Sequence, residues 1–309
     1  MSTNPSPSRT CFLTTFSTSM FTLIPPLFSA LHKYLVLILY TIKEGSTIFC
    51  PHIDVSATLG KAIRLLALEA VYHLVVVDKN LTVHGVLSPR DIAAKLLEIH
   101  ENEGFLEERV LRKWLSIPVG RIARKPAIAL TRFVSIAEAA KLMYLNRIGL
   151  LPVVDNTGKL INCYEETMLA IHLIGDIRPA KRYATADPLT LSIDDKPTLL
   201  DALAIMVEER IRHVLLERSR STDIIDINNL LLAIVRRPLE GTLLEKLEKY
   251  TRPATILPAD IELGTIAELV TLLPERAVVL TSRTDGEEKM IITTRDLLKA
   301  MSEKVGKST

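Results

Sequence analysis

Two short stretches carry side chains suited to holding a phosphorylated ligand. The first, Gly85-Val86-Leu87-Ser88-Pro89-Arg90-Asp91, sets a glycine, two apolar residues and a hydroxyl ahead of a carboxylate three positions on. The second, Thr293-Thr294-Arg295-Asp296, repeats the latter half, with Met290 where the first has glycine. A hydroxyl residue that ends a strand and caps the next helix leaves free backbone N–H groups and the positive helix end facing outward, and both favour phosphate. Its hydroxyl adds one donor, and Arg90 and Arg295 add forked guanidinium groups. Asp91 and Asp296 can accept hydrogen bonds from the two hydroxyls of a ribose. Phosphate and ribose together describe a nucleotide. The same residues also form ordinary capping boxes, worth about 1 kcal/mol each with no ligand present. Their meaning therefore depends on the elements that position them.

Those elements recur four times. Amphipathic helices are predicted from Thr58, Ser135, Thr198 and near Glu262, each with apolar residues at i, i+3, i+4 and i+7. Three of the four open on Ser or Thr, which suits a helix N-cap. A short apolar run follows each helix: Leu74 to Val77, Leu150 to Val154, Val214 to Leu216, and Ala277 to Leu280. Such runs read as buried strands. Polar turns at Asp78-Lys79-Asn80, Asp155 to Gly158, Arg218 to Thr222 and Thr284-Asp285-Gly286 then lead to a second strand and a second helix, so each segment predicts a hairpin between helices. The spacing from Thr58 to Asp91 is nearly repeated from Ser135 to Met168, Thr198 to Asn229 and Glu262 to Asp296.

This order, β-α-β-β-α with Thr-Leu-x-x-Ala opening two first helices (Thr58-Leu59 to Ala62, Thr198-Leu199 to Ala202), resembles the CBS domain, named after cystathionine β-synthase. Leu151-Pro152-Val153-Val154-Asp155 and Gly85 to Asp91 are similar to that family's hairpin and closing turn. The resemblance implies an α/β (α+β) fold of four CBS repeats packed as two pairs. Pair one is expected over 46–176, with repeats at 46–100 and 118–176, and pair two over 180–303, with repeats at 180–237 and 248–303. Arg178 to Pro188 is the expected linker, and residues 1–45 a leader.

The resemblance further implies a regulatory sensor that binds an adenosyl ligand such as AMP, ADP, ATP or S-adenosylmethionine, with no obligatory cofactor. The ligand-binding residues carried over are Gly85, Ser88, Arg90 and Asp91 in repeat one and Thr293, Arg295 and Asp296 in repeat four. Tyr72 and His73, just before a first hairpin strand, are added because adenine packs near that position in the family; a half-buried structural histidine is the alternative. Repeat two has Asn162, Glu165 and Met168 at the motif positions, and repeat three has Asp223, Asp226 and Asn229. Glu165 and Asp226 would repel phosphate, so one competent site per pair is expected. The rival reading is a structural or assembly protein whose turns only cap helices.

Other classes find little support. No nucleophile elbow, Walker loop, HExxH or cysteine–histidine cluster is present, so neither catalysis nor a metal site is expected. Lys and Arg number 38 against 36 Asp and Glu, too even a balance for a nucleic-acid partner. Cys11, Cys50 and Cys163 are odd in number and widely spaced with no CxxC pair, so neither a disulfide framework nor a zinc knuckle is expected, and a reducing cytoplasm fits. Residues 1–43 lack Asp and Glu and hold two apolar runs, neither of about 20 residues; only there is a membrane association conceivable. With no effector domain recognised, the chain is expected to act on an unknown protein partner, as a homodimer.

Overall fold

The computed structural model describes residues 50–69, 71–103, 107–282 and 288–303. In unit one, β1 (His52–Asp54) leads to α1 (Leu59–Leu68), the hairpin β2 (Leu74–Val77) and β3 (Val83–Leu87), then α2 (Pro89–Glu103). A connector, α3 (Glu108–Leu115), brings the chain to unit two: α4 (Ile136–Asn146), β4 (Leu150–Val154), β5 (Leu160–Glu165) and a short α5 (Glu166–Ala170). Unit three comprises β6 (Thr185–Ala186), β7 (Thr190–Ser192), α6 (Leu199–Glu208), β8 (His213–Arg218), β9 (Ser221–Asp226) and α7 (Ile227–Arg236). After α8 (Glu240–Leu243), unit four comprises β10 (Arg252–Pro253), β11 (Ile256–Pro258), α9 (Leu263–Leu272), β12 (Ala277–Thr281), β13 (Lys289–Thr293) and α10 (Thr294–Ser302).

The helix starts follow from their caps. Thr58 accepts a hydrogen bond from the Lys61 amide at 3.3 Å, and Ser135 from the Glu138 amide at 3.2 Å. Thr198 and Asp201 form a reciprocal capping box. Only α9 of the four begins without a side-chain cap, at Glu262. The first hairpin strands β2 and β4 are buried along their whole length, as their unbroken apolar runs require.

The units pair by exchanging strands. The segment entering unit three supplies β6 to the sheet of unit four, antiparallel to β13, with Ile291 opposite Thr185. The segment entering unit four supplies β10 to unit three, with Arg252 opposite Ile224. In the first half, Arg124 on the way into unit two bridges Val86 of β3 in both directions, at 3.2 and 2.9 Å. Cys50, ahead of β1, lies against Cys163 on β5 of unit two. The two sheets of each half then close over small apolar cores: Val75, Val77, Leu150 and Leu160 in one, and Leu215, Ile224, Val279 and Ile291 in the other.

The helices join the halves. One core gathers α1, α2 and Trp114 of the connector with α6 and α7, so unit one packs on unit three. The other gathers α4 and α5 with α9 and α10, so unit two packs on unit four. Sheets thus hold one to two and three to four, while helices hold one to three and two to four. The four units close into a ring within a single chain.

Two expectations change. The cysteine reading is overturned: Cys50 and Cys163 form a disulfide with Cα atoms 5.4 Å apart across 113 residues of sequence. Spacing did not reveal it because strand exchange, a long-range event, brings the two together. The expected linker is not a spacer, since it contains β6 and contributes Ala180 and Tyr183 to the core shared by units two and four. The leader and the turn at Thr284-Asp285-Gly286 lie outside the described residues. No helix among the described residues is long and apolar enough to cross a membrane.

Candidate functional site

At the end of β13 the chain turns into α10 through Thr293, whose amide and hydroxyl both donate to Oδ2 of Asp296 at 2.8 Å. Oδ1 of Asp296 receives only a longer bond, 3.2 Å, from the hydroxyl of Thr185 on the exchanged strand. Burial holds the Asp296 carboxyl above its usual range, against the pull of the Thr293 hydrogen bonds and of Arg295. Arg295, next in sequence, is half-buried. Desolvation and the neighbouring charge of Arg212 lower its pKa, a sign that positive charge is concentrated here.

These groups line a cavity of about 480 Å³. Its walls come from three places. Thr293, Arg295 and Asp296 close one side, Thr185 and Asp187 to Leu189 of the exchanged segment another, and Arg210 to His213, at the entry to β8, the third. The cavity therefore joins the turn of unit four to the hairpin approach of unit three. Arg210 sits in the left-handed region at φ 56°, which bends the chain from α6 into β8 and sets Ile211 and Arg212 along the wall.

The Ser88–Asp91 turn of unit one has the same cap but a different surround. The amide and hydroxyl of Ser88 donate to Oδ2 of Asp91 at 2.9 and 2.6 Å. Oδ1 of Asp91 is taken by Nε of Arg124 at 2.6 Å. Gly85 serves the same crossing segment: a Cβ there would stand 2.5 Å from the carbonyl oxygen of Arg124. Its role in the structure is close packing of the exchanged chain. In unit four that segment pairs with β13 through Ala186 opposite Met290, so no glycine is needed there. Arg90 donates to the carbonyl of Arg210 at 2.5 Å, on the rim of the cavity in the other half. Its pKa falls to about 10, first through burial and then through repulsion by Arg295 and Arg212.

Tyr72 and His73 do not join the Ser88–Asp91 turn. Tyr72 is fully buried, and its hydroxyl donates to the carbonyl of Glu275 at 3.0 Å beside Nε2 of His213 at 3.3 Å. The guanidinium of Arg212 lies 4.4 Å from its ring centre. His73 is buried against Glu165 and Glu166 of unit two. Desolvation lowers its pKa to about 3, so it is neutral. The physical reason is again the exchange of segments: the approach to β2 faces the turn of the partner unit, as the approach to β8 faces the turn of unit four.

In units two and three the turn carboxylates cap their own helices. Glu165 accepts from the amides of Thr167 and Met168 at 2.8 and 3.2 Å. Asp226 accepts from those of Asn228 and Asn229 at 2.9 and 3.3 Å. Burial pushes Glu165 up to about 7, with the charge of Glu166 adding to it, and pushes Asp226 up to about 6. Glu166 behaves oppositely. Burial would raise it, but the ion pair with Arg212 outweighs that and holds it down at about 2. Thr294 also donates to Glu166 at 2.8 Å. Glu166 of unit two, Arg212 of unit three, Thr294 of unit four and Tyr72 of unit one thus meet at the middle of the ring. Sequence reasoning missed Arg212, Thr185 and Asp187. The one signal available was position, since Arg212 stands two residues before the apolar run that begins at Val214.

A CBS domain family model matches residues 49–98 and 119–163, which are units one and two. A CBS domain-containing protein of Dictyostelium discoideum is 30% identical over 130 residues, covering 41% of this chain and 86% of that protein. Among solved structures, a protein of Methanocaldococcus jannaschii proposed as an archaeal homolog of g-AMPK superposes with a TM-score of 0.69 at 20% identity, over 81% of this chain and 95% of that one. An uncharacterized conserved protein from Pyrococcus horikoshii gives 0.53 at 16% identity, over 82% and 95%. These two share the fold of the whole ring, and with a curated relative matched over most of its own length, the chain belongs to the CBS domain family.

Proposed function

We propose that all four units are CBS repeats and that the cavity between units three and four binds an adenine nucleotide or a related adenosyl compound as a regulatory ligand. The observation that carries this reading is the 480 Å³ cavity in which Asp296, Arg295 and the N-terminus of α10 at Thr293 converge. Asp296 accepts from the ribose hydroxyls through its less engaged oxygen. Arg295 and the helix end hold phosphate, and Ile211 to His213 flank the base. Oδ1 of Asp91 is already paired with Arg124 at 2.6 Å, whereas Oδ1 of Asp296 accepts only a 3.2 Å bond, and on this difference we place the ligand in the second half of the ring. The ligand acts by favouring one arrangement of the ring over another, which requires that it bind the two with different affinity. An unidentified protein partner reads the change, and the protein performs no catalysis of its own.

Thermal unfolding of the full chain with AMP, ADP, ATP or S-adenosylmethionine tests this. A ligand at about 100 times its Kd adds roughly 2.7 kcal/mol, a shift of a few degrees. One of the four should produce that shift in the parent protein and in Asp91→Ala, and fail to in Asp296→Ala. A structural role is the second reading. It is favoured by the turns of units one, two and three, whose polar groups are already satisfied by Arg124, Glu165 and Asp226. Unchanged midpoints with all four compounds would establish it.

A further inference from the structure

His73, Glu165 and Glu166 bring their ligand-capable atoms within 4.8 Å of one another where units one and two meet. They are 7%, 2% and 0% exposed. Two of the converging atoms, Nδ1 of His73 and Oε2 of Glu166, have no hydrogen-bond partner. A buried polar atom left so is costly, and a charged one more so. Glycine at 149 lets both side chains approach the backbone: a Cβ there would stand 2.1 Å from Cε1 of His73 and 2.7 Å from Nδ1 of His73 and Oε2 of Glu166.

The surroundings orient both carboxylates. Glu166 has its Oε1 held by Arg212 and by the Thr294 hydroxyl, which turns Oε2 toward His73. Glu165 has its Oε2 held by the Thr167 and Met168 amides, leaving Oε1 with only a 3.3 Å contact to the Thr167 hydroxyl. Each carboxylate is thus anchored through one oxygen, as outer groups anchor the ligands of metal sites. We propose that His73, Glu165 and Glu166 bind one divalent transition-metal ion of the zinc class. One imidazole and two carboxylates are a donor set zinc accepts at about 2.0–2.2 Å, with a fourth position left over. Calcium would need six to eight oxygens, and magnesium a nearly complete shell of water and oxygen, a poor match to a buried set of one imidazole and two carboxylates. Sequence spacing could not reveal the site, because His73 comes from unit one and the glutamates from unit two.

The test uses the untagged full chain, stripped with a chelator and then equilibrated with Zn²⁺, Co²⁺, Mg²⁺ or Ca²⁺ and analysed for bound metal. The expected result is one Zn²⁺ or Co²⁺ per chain, visible absorption bands of low-coordinate Co²⁺, and no retained Mg²⁺ or Ca²⁺. His73→Ala and Glu165→Gln should each weaken Zn²⁺ binding at least tenfold, with folding checked by circular dichroism. Failure of the parent protein to retain either transition ion overturns the proposal without reliance on any variant. Uptake that survives undiminished in both variants also overturns it, since the ion then sits on surface histidines.

Discussion

Asp226 and Asp296 occupy comparable turns and meet different fates. Asp296 has a cavity before it; Asp226 is buried, 2% exposed, and bent onto the amides of Asn228 and Asn229. Burial raises Asp226 from 3.8 to about 6 despite those bonds and the nearby charge of Arg252. The folded chain therefore holds this proton more tightly than the unfolded chain. Its contribution to stability is complete below about pH 4 and is lost as the pH rises to about 6. Each tenfold difference in proton affinity is worth roughly 1.4 kcal/mol, so the loss is on the order of 2–3 kcal/mol. Urea unfolding of the parent and of Asp226→Asn across that window checks it: the difference between them should change by that amount over pH 4 to 6 and stay constant above. The acidic character of this position was legible in the sequence. That the acid caps its own helix was not, because hydrogen-bond partners depend on how the turn closes.

At the scale of elements, the hairpins and the helices before them follow from periodicity and capping, and the structure has them at Leu74–Val77, Leu150–Val154, His213–Arg218 and Ala277–Thr281. Local signals sufficed because each helix start and each buried strand is decided by residues a few positions apart. The exchanged segments could not be found this way. β6 and β10 are two residues long and pair with strands far away in sequence, so no local period marks them. Gly85 illustrates the consequence. Read alone, it suggests room for a ligand; in the fold it makes room for the Arg124 backbone. Gly85→Ala should therefore force the crossing segment outward and cost about 1–3 kcal/mol. A lowered urea midpoint with an unchanged slope would register this, and a neutral substitution would show that the segment yields freely.

Over the whole molecule, the described units each pack on two others, one through a sheet and one through helices. Pairing through sheets is a property of the repeat and could be expected from it. Closure of the two halves within one chain could not, since the same helix faces could equally meet across a dimer. The Cys50–Cys163 disulfide fastens units one and two over a separation of 113 residues, a long loop in the unfolded chain. Reduction under native conditions should lower the unfolding free energy by about 2–4 kcal/mol, read by chemical denaturation with and without a thiol reductant. An equal midpoint in both would mean that sheet packing alone sets the stability of that half.

Isothermal titration of the full chain with whichever adenosyl compound stabilises it most bears directly on the central claim. The pairing of Asp91 Oδ1 with Arg124 and the less engaged Oδ1 of Asp296 predict one ligand per chain, retained in Asp91→Ala and lost in Asp296→Ala. Binding that persists in Asp296→Ala, or that disappears only in Asp91→Ala, would contradict the assignment of the site to units three and four.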